Sequence, residues 1–297
     1  MKIKVAFIGL CIYAISHKTT IAQDLLSMLD SIDNEQPRTE YTTGTFKSVR
    51  LINGYTGEIA GENELVFSIS HRFGMLNTGL YELFGLDQST IRFGFEYGIN
   101  PWLDLGVGRS NYEKLYDGFF KFKLLKQSSG TKNIPISITL LEGLAAKTQK
   151  WTNADIDYPL TARFDYVHEL FIYKKFTDEF SMQLVPVLVH RNLVPKRNDE
   201  NDVGALGVGG RYKLAKRFVF SGEYFYLFPG ETAENFHNSL SLGFEIETGG
   251  HVFQLNFSNS SGMTEKIFVP ETTGRWLDGE IHFGFNIIRV FGLKKHK

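Results

Sequence analysis

The sequence predicts an all-β fold: a closed antiparallel up-and-down transmembrane β-barrel of 12 strands. Three observations predict it. Apolar and polar residues alternate with a period of two in one segment after another. Long and short connections alternate between those segments. The composition favours sheets, with 26 Phe, 13 Tyr and 29 Gly against 8 Pro in 297 residues, because aromatic side chains suit a pleated surface. No run of about 18 apolar residues occurs, so no helix is long and apolar enough to span a bilayer.

Taken in order, the chain starts as an address. Met1-Lys2-Ile3-Lys4 is basic, Val5 to Ile15 is apolar but short, and Thr20-Ile21-Ala22 ends on a small residue. These are the parts of a secretory signal peptide, expected to span 1–22 with cleavage after Ala22. The single cysteine, Cys11, lies inside it, and Leu10 is too large for the small residue that precedes a lipid-anchored cysteine. The mature chain then has no cysteine, which excludes disulfides and cysteine-ligated metal. Loss of Lys2, Lys4 and Lys18 leaves it more acidic than the full chain's formal charge of -1. No basic surface advertises nucleic acid.

Residues 23–60 read as an N-terminal periplasmic or plug segment. Leu25, Leu26, Met28 and Leu29 suggest one turn of amphipathic helix. Thr43 to Ile52 looks extended, with Phe46, Val49 and Leu51. Counting it as a wall strand would break the even parity of a single-chain barrel, so it is set apart from the wall.

The barrel is expected over 61–291. Thr90 to Ile99 shows the pattern best: Ile91, Phe93, Phe95, Tyr97 and Ile99 share one face, and Thr90, Arg92, Gly94, Glu96 and Gly98 the other. A strand sends successive side chains to opposite faces, whereas a helix would spread both classes around its circumference. Similar alternation marks strands at 62–73, 116–125, 161–174, 217–228, 238–247, 251–259 and 278–291. Weaker copies lie at 102–110, 134–143, 179–190 and 204–214. Most are near the 9–11 or so residues that cross a bilayer at a tilt. The connections at 74–89, 144–160, 191–203 and 260–277 are long, and those at 100–101, 175–178, 215–216 and 248–250 are short. If the first strand ascends, both termini fall in the periplasm. A short basic tail, 292–297, follows.

Alternation alone fits a soluble sandwich as well. Export, glycine-rich polar faces suited to a crowded lumen, and aromatic residues near strand ends (Tyr97, Trp102, Tyr226, Trp276) favour a membrane wall.

His71-Arg72-Phe73-Gly74, Phe84-Gly85-Leu86-Asp87, Gly94-Phe95-Glu96-Tyr97-Gly98 and Gly106-Val107-Gly108-Arg109-Ser110 resemble a membrane-bound β-barrel family of unknown function from Gram-negative bacteria. Asn259-Ser260-Ser261-Gly262-Met263 and Phe283-Gly284-Phe285-Asn286-Ile287 resemble it too, so the likeness runs over about 45–291. The resemblance implies an outer-membrane barrel and no catalytic residue. Phe291 resembles the terminal aromatic of barrel assembly signals, which implies the barrel-assembly machinery as a partner.

The candidate functional residues are charges on the polar faces: Arg92, Glu96, Asp104, Lys121, Lys123, Arg163, Asp165, Glu169, Arg211, Glu223 and Glu245. Asp104 is expected beside Lys121, and Glu223 beside Arg211. These charges either line an aqueous passage that filters solutes or form an interior network that stiffens the wall or clamps the N-terminal segment. His71, His168, His190 and His251 fall on apolar faces and are too dispersed to hold a metal. Ser258 to Gly262 superficially resembles a serine hydrolase motif, but no histidine sits at the short spacing such a motif uses. Gly204 to Gly210 lacks the Lys-Ser/Thr of a phosphate loop.

The expected function is therefore a porin-like channel or transport-associated barrel for small hydrophilic solutes. The alternative is a non-conducting barrel that presents loops 144–160 and 260–277 to a periplasmic or surface protein. A lipid-modifying enzyme is the weakest reading. No enzymatic activity and no cofactor are expected, and outer-membrane lipids are the expected surroundings.

Overall fold

The computed structural model describes residues 38–153, 155–194, 196–230, 232, 234 and 236–293. The expected signal peptide, the helical turn at 25–29 and most of the basic tail lie outside them. No helix among the described residues is long and apolar enough to cross a membrane.

The wall strands are β1 (Glu64–Met75), β2 (Ser89–Asn100), β3 (Leu103–Ser110), β4 (Leu115–Leu125), β5 (Ser137–Lys147) and β6 (Phe164–Lys175). They continue with β7 (Phe180–Arg191), β8 (Asp202–Ala215), β9 (Phe218–Leu227), β10 (Ser239–Glu247), β11 (His251–Ser258) and β12 (His282–Gly292). Each pairs antiparallel with its neighbours in sequence, and β12 pairs with β1 to close the ring. The expected 12-stranded up-and-down barrel is the observed fold.

The strands form because each can satisfy two surroundings at once. On β2 the odd-numbered residues Phe93 and Phe95 look outward and are exposed, while Arg92 and Glu96 look inward and are buried. Exposed Phe, Tyr and Leu side chains recur on every side of the ring. Water would not sustain so large an apolar surface; hydrocarbon would. Closure pairs the backbone groups of the first and last strands, as lipid requires.

Connections 101–102, 176–179, 216–217 and 248–250 are tight and lie at the end where β1 begins. The opposite end carries 76–88, 148–163, 192–201, 228–238 and 259–281. Strict alternation fails at one place on each end. The β4–β5 connection, 126–136, is long on the tight-turn end because it contains a strand of its own, Ser128–Gly130. The β3–β4 connection, 111–114, is short on the other end.

Ser128–Gly130 pairs with Thr39–Tyr41 in a two-stranded ribbon. Residues 38–40 and 128–133 group apart from the barrel. Within it the Thr131 amide donates to Arg38 O at 3.3 Å.

The extended reading of 43–52 is replaced by a bent segment that folds into the lumen. Residues 45–60 form an inner hairpin: Leu51 N donates to Gly54 O at 2.9 Å, and Thr56 N to Val49 O at 2.8 Å. Of the two places foreseen for this segment, it takes the lumen. It enters beside β2, where Glu62 bridges Gly98. A Cβ at Gly98 would lie 2.0 Å from Gly61 O, so only glycine admits the incoming chain.

The 260–277 loop, which the alternative reading presents to a partner, also turns inward over most of its length. Residues 262–270 are buried and include a single helical turn, α1 (Glu265–Phe268). The physical reason is apolar content: Met263, Ile267, Phe268 and Val269 are each 2 % exposed or less. Phe268 and Val269 join Phe46, Leu51 and Tyr55 of the hairpin and the inward faces of β4–β9 in one hydrophobic cluster. A smaller cluster of Val49, Ala60, Val66, Val252 and Ile288 closes the tight-turn end.

Candidate functional site

The candidate site is the lumen. Its wall offers hydrogen-bonding side chains at the height where the hairpin reverses, and these side chains satisfy the hairpin's backbone. Glu223 on β9 accepts the Asn53 amide at 2.7 Å and the Gly54 amide at 3.2 Å. Gln254 on β11 donates to Leu51 O and Asn286 on β12 to Ile52 O, both at 2.8 Å. Gln183 on β7 donates to Tyr55 O at 2.8 Å. Thr139 on β5 donates to Gly57 O at 2.7 Å, and Asp104 on β3 accepts the Ala60 amide at 2.9 Å. A buried backbone group left unpaired would be costly; here six wall side chains prevent it.

The Asn53 side chain is the centre of the hairpin tip. Its Oδ1 accepts from Arg72 at 2.7 Å, and its Nδ2 donates to Ser258 at 2.9 Å and Ser241 at 3.1 Å. Three wall strands are thereby joined through one amide, which supplies both the donor and the acceptor.

The predicted residues divide as follows. Arg92 binds Asp117 with two nitrogens, and its Nη2 also donates to the Tyr55 hydroxyl at 3.0 Å. Lys121 is fully buried, pairs with Glu96 at 3.2 Å and lies 4.5 Å over the Tyr55 ring. Lys123 pairs with Glu58 of the hairpin at 2.8 Å. Asp165 lies 3.8 Å from Lys266. Glu245 accepts from Ser221, and Glu169 is buried with Oε2 lacking a hydrogen bond.

Asp104 stands opposite Lys121 in register, as expected, while the Lys121 ion pair is with Glu96 and Asp104 accepts from the Ala60 amide. Two expectations need correction. Glu223 does not pair with Arg211: the register sets Arg211 opposite Ser221, and Arg211 reaches Glu247 at 2.7 Å. Arg163 is not in the lumen. It ends a 3-10 turn at the long-loop rim, donates to Lys147 O and Gln149 O at 2.9 Å and stacks on Trp151.

Charge-hunting missed the neutral amides Asn53, Gln183, Gln254 and Asn286. For Gln183, Gln254 and Asn286 the signal is a long amide at an inward strand position, whereas Asn53 lies in the bend of the hairpin. It also missed Arg50, which joins the hairpin to the inturned loop. Arg50 Nη1 donates to Met263 O at 3.2 Å and lies 4.0 Å from Glu265, with the guanidinium 3.8 Å over the Tyr55 ring.

At the long-loop mouth Lys266 is held by Glu113 at 2.9 Å and Glu271 at 3.4 Å, and Arg191 pairs with Glu271 at 3.4 Å. Burial alone would lower the Lys266 pKa, but Glu271, Glu113 and Asp165 raise it above its ordinary value. Burial would raise Glu113, but Lys266 and Lys147 hold it below the usual carboxylate range. Burial pushes the Tyr55 hydroxyl up, partly opposed by Arg50 and Arg92. It also raises Glu265, against Arg50. Among the described residues no group of His, Cys, Asp and Glu is placed to hold a metal ion.

The outer wall bears the four histidines as expected. His71 stacks on Phe285 with centroids 4.9 Å apart, and His251 on Phe253 at 6.0 Å. His190 meets Asp202 at 2.7 Å, and His168 meets Glu142.

No curated protein matches the chain in sequence. Among solved structures it is similar to the KdgM porin (TM-score 0.46, 10% identity, covering 77% of this chain and 99% of that one). It is also similar to the NanC porin (0.47, 6%, 76% and 98%) and to the outer membrane protein Omp33 of Acinetobacter baumannii (0.40, 8%, 79% and 100%). The model of a family described as a membrane bound beta barrel domain (DUF5777) matches residues 46–291. The ring of outward aromatic residues and the match over most of the chain lead to one conclusion: this protein belongs to that family of membrane-bound β-barrels.

Proposed function

We propose that the protein is a bacterial outer-membrane channel, or a transport-associated barrel, for small hydrophilic solutes, held shut by the inner hairpin and the inturned loop. The signal-like start supports export, and the tight-turn end then faces the periplasm with both termini. The observation that carries the reading is the chemistry of closure. The hairpin is fixed to the wall largely by side-chain hydrogen bonds from Glu223, Gln183, Gln254, Asn286, Thr139 and Asp104. Water can take over each of those bonds when the hairpin withdraws. The wall left behind would present Arg92, Glu96, Lys121, Glu223 and Glu245 to the passage as a charge filter. The reading assigns no catalysis.

Planar-bilayer conductance tests it. The intact protein should conduct weakly, and a variant lacking 42–60 should conduct in larger, steadier steps. An oxidised Asn53→Cys/Ser258→Cys variant should stay shut and open on reduction. In the opened variant, neutralising Glu96 should alter ion preference. A folded variant without the hairpin that still passes no current, even after deletion of 260–274, would refute the channel. That result would leave the non-conducting barrel, which the apolar cluster on the β4–β9 side of the lumen favours.

A further inference from the structure

Outward positions at mid-strand are apolar around the ring, with one departure. Glu142 is the third of the five outward positions of β5, at the middle of the strand, and His168 stands directly opposite it on β6. Charges occur elsewhere on the outward face only toward strand ends, as at Arg109, Lys174, Asp202 and Arg289. A carboxylate facing hydrocarbon at mid-depth is costly and marks a functional site by default. The pair bonds internally through His168 Nδ1 and Glu142 Oε2. That contact does not hide it: the side chains remain 43 and 42 % exposed. Neither Glu142 Oε1 nor His168 Nε2 makes a hydrogen bond to any described residue.

Beside the pair the wall is hollowed. Gly118 faces outward between Val107 and Leu144, and a depression of about 420 Å³ is lined there by Val107, Phe120, Leu144, Tyr166 and the pair itself. The glycine is not forced by the barrel's own packing. A Cβ at Gly118 would meet nothing nearer than Gly106 O at 3.7 Å. The wall thus keeps room beside its most polar outward spot.

We propose that this face is a homodimer interface within the membrane. Two copies are related by a two-fold axis along the membrane normal, and each Glu142 is set against the other copy's His168. The argument is charge complementarity. Residues paired across β5 and β6 share one height. A two-fold axis running between these strands sets the left side of one copy against the right side of the other. A Glu–His pair is its own complement under that operation. The free carboxylate oxygen and the free imidazole nitrogen of each copy then find partners, and hydrocarbon is displaced from both pairs. Leu144 and Tyr166 meet their counterparts one row away, next to the hollow.

The mature chain offers no native cysteine, so crosslinking is clean. Leu144→Cys should give dimer-sized bands with a short bis-methanethiosulfonate in native membranes. Leu255→Cys, more exposed still and on β11 across the ring, should not. In lipid nanodiscs the wild type should show the mass of two chains, Glu142→Leu should lose most of that species, and the exchange Glu142→His/His168→Glu should restore it. A wild-type monomer with lipid seated at the hollow and no excess crosslinking at 144 would overturn the proposal. So would a dimer indifferent to Glu142→Leu, since it would use another face.

Discussion

Asn53 shows how much a single neutral side chain does in this lumen. It accepts from Arg72 and donates to two serines on different strands, and none of the groups involved can reach bulk water. Asn53→Ala would strand them, and a buried polar group left unpaired costs about 1–3 kcal/mol. Hydrogen exchange of the 49–57 amides should accelerate accordingly while the wall stays protected. Glu113 is the residue to titrate. Its folded pKa lies below the ordinary 4.5 because Lys266 and Lys147 surround it, outweighing burial. Its contribution is therefore complete above pH 4.5 and fades as the pH falls through the lowered folded value. The acid limb of the thermal melting profile should shrink in Glu113→Gln, and an unchanged limb would place the acid sensitivity elsewhere.

At the scale of elements, the two inward segments divide the labour. The hairpin is held by polar side chains, and the loop by greasy ones. Phe268 is fully buried and packs on Phe225 with ring centroids 5.0 Å apart. Phe268→Ala should cost about 3–5 kcal/mol, as large-to-small core changes do, and expose 260–274 to limited proteolysis. The wall was legible because its alternation is enforced twice, by lipid outside and polar contacts inside. It is faint at β3, β5, β7 and β8, and at β7 the physical reason is plain. Val185, Val187 and Val189 face inward as Leu184 and Leu188 face outward, so the period of two disappears. Those faint strands are the ones the plug leans on. The inturned loop is legible only as a long connection, since nothing in its length marks the run Ile267-Phe268-Val269 as the part that is buried. The clamp on the N-terminal segment was legible as one of two readings of the charges. The amides that do much of the clamping carry no charge, so no opposite sign on a neighbouring strand marks them.

For the whole molecule, closure of the ring at β12 and β1 is the condition for everything inside it. Ile287 sits in the middle of that ladder, opposite Ile69. A proline there removes a ladder hydrogen bond from a central strand. Ile287→Pro should abolish the compact form that migrates ahead of the boiled chain in semi-native gels. A surface change of similar size, such as Leu277→Pro in the exposed rim, should not.

The inner hairpin runs directly into β1, and the inturned loop joins β11 to β12, so both stoppers hang from three adjacent staves of the cask. The remaining staves carry neither. Severing the polypeptide inside 148–163 with an engineered protease site would split it into two fragments while leaving each stopper tethered to its own stave. Such a nicked vessel should stay assembled and stay corked, which makes the far arc the place to insert tags or foreign domains.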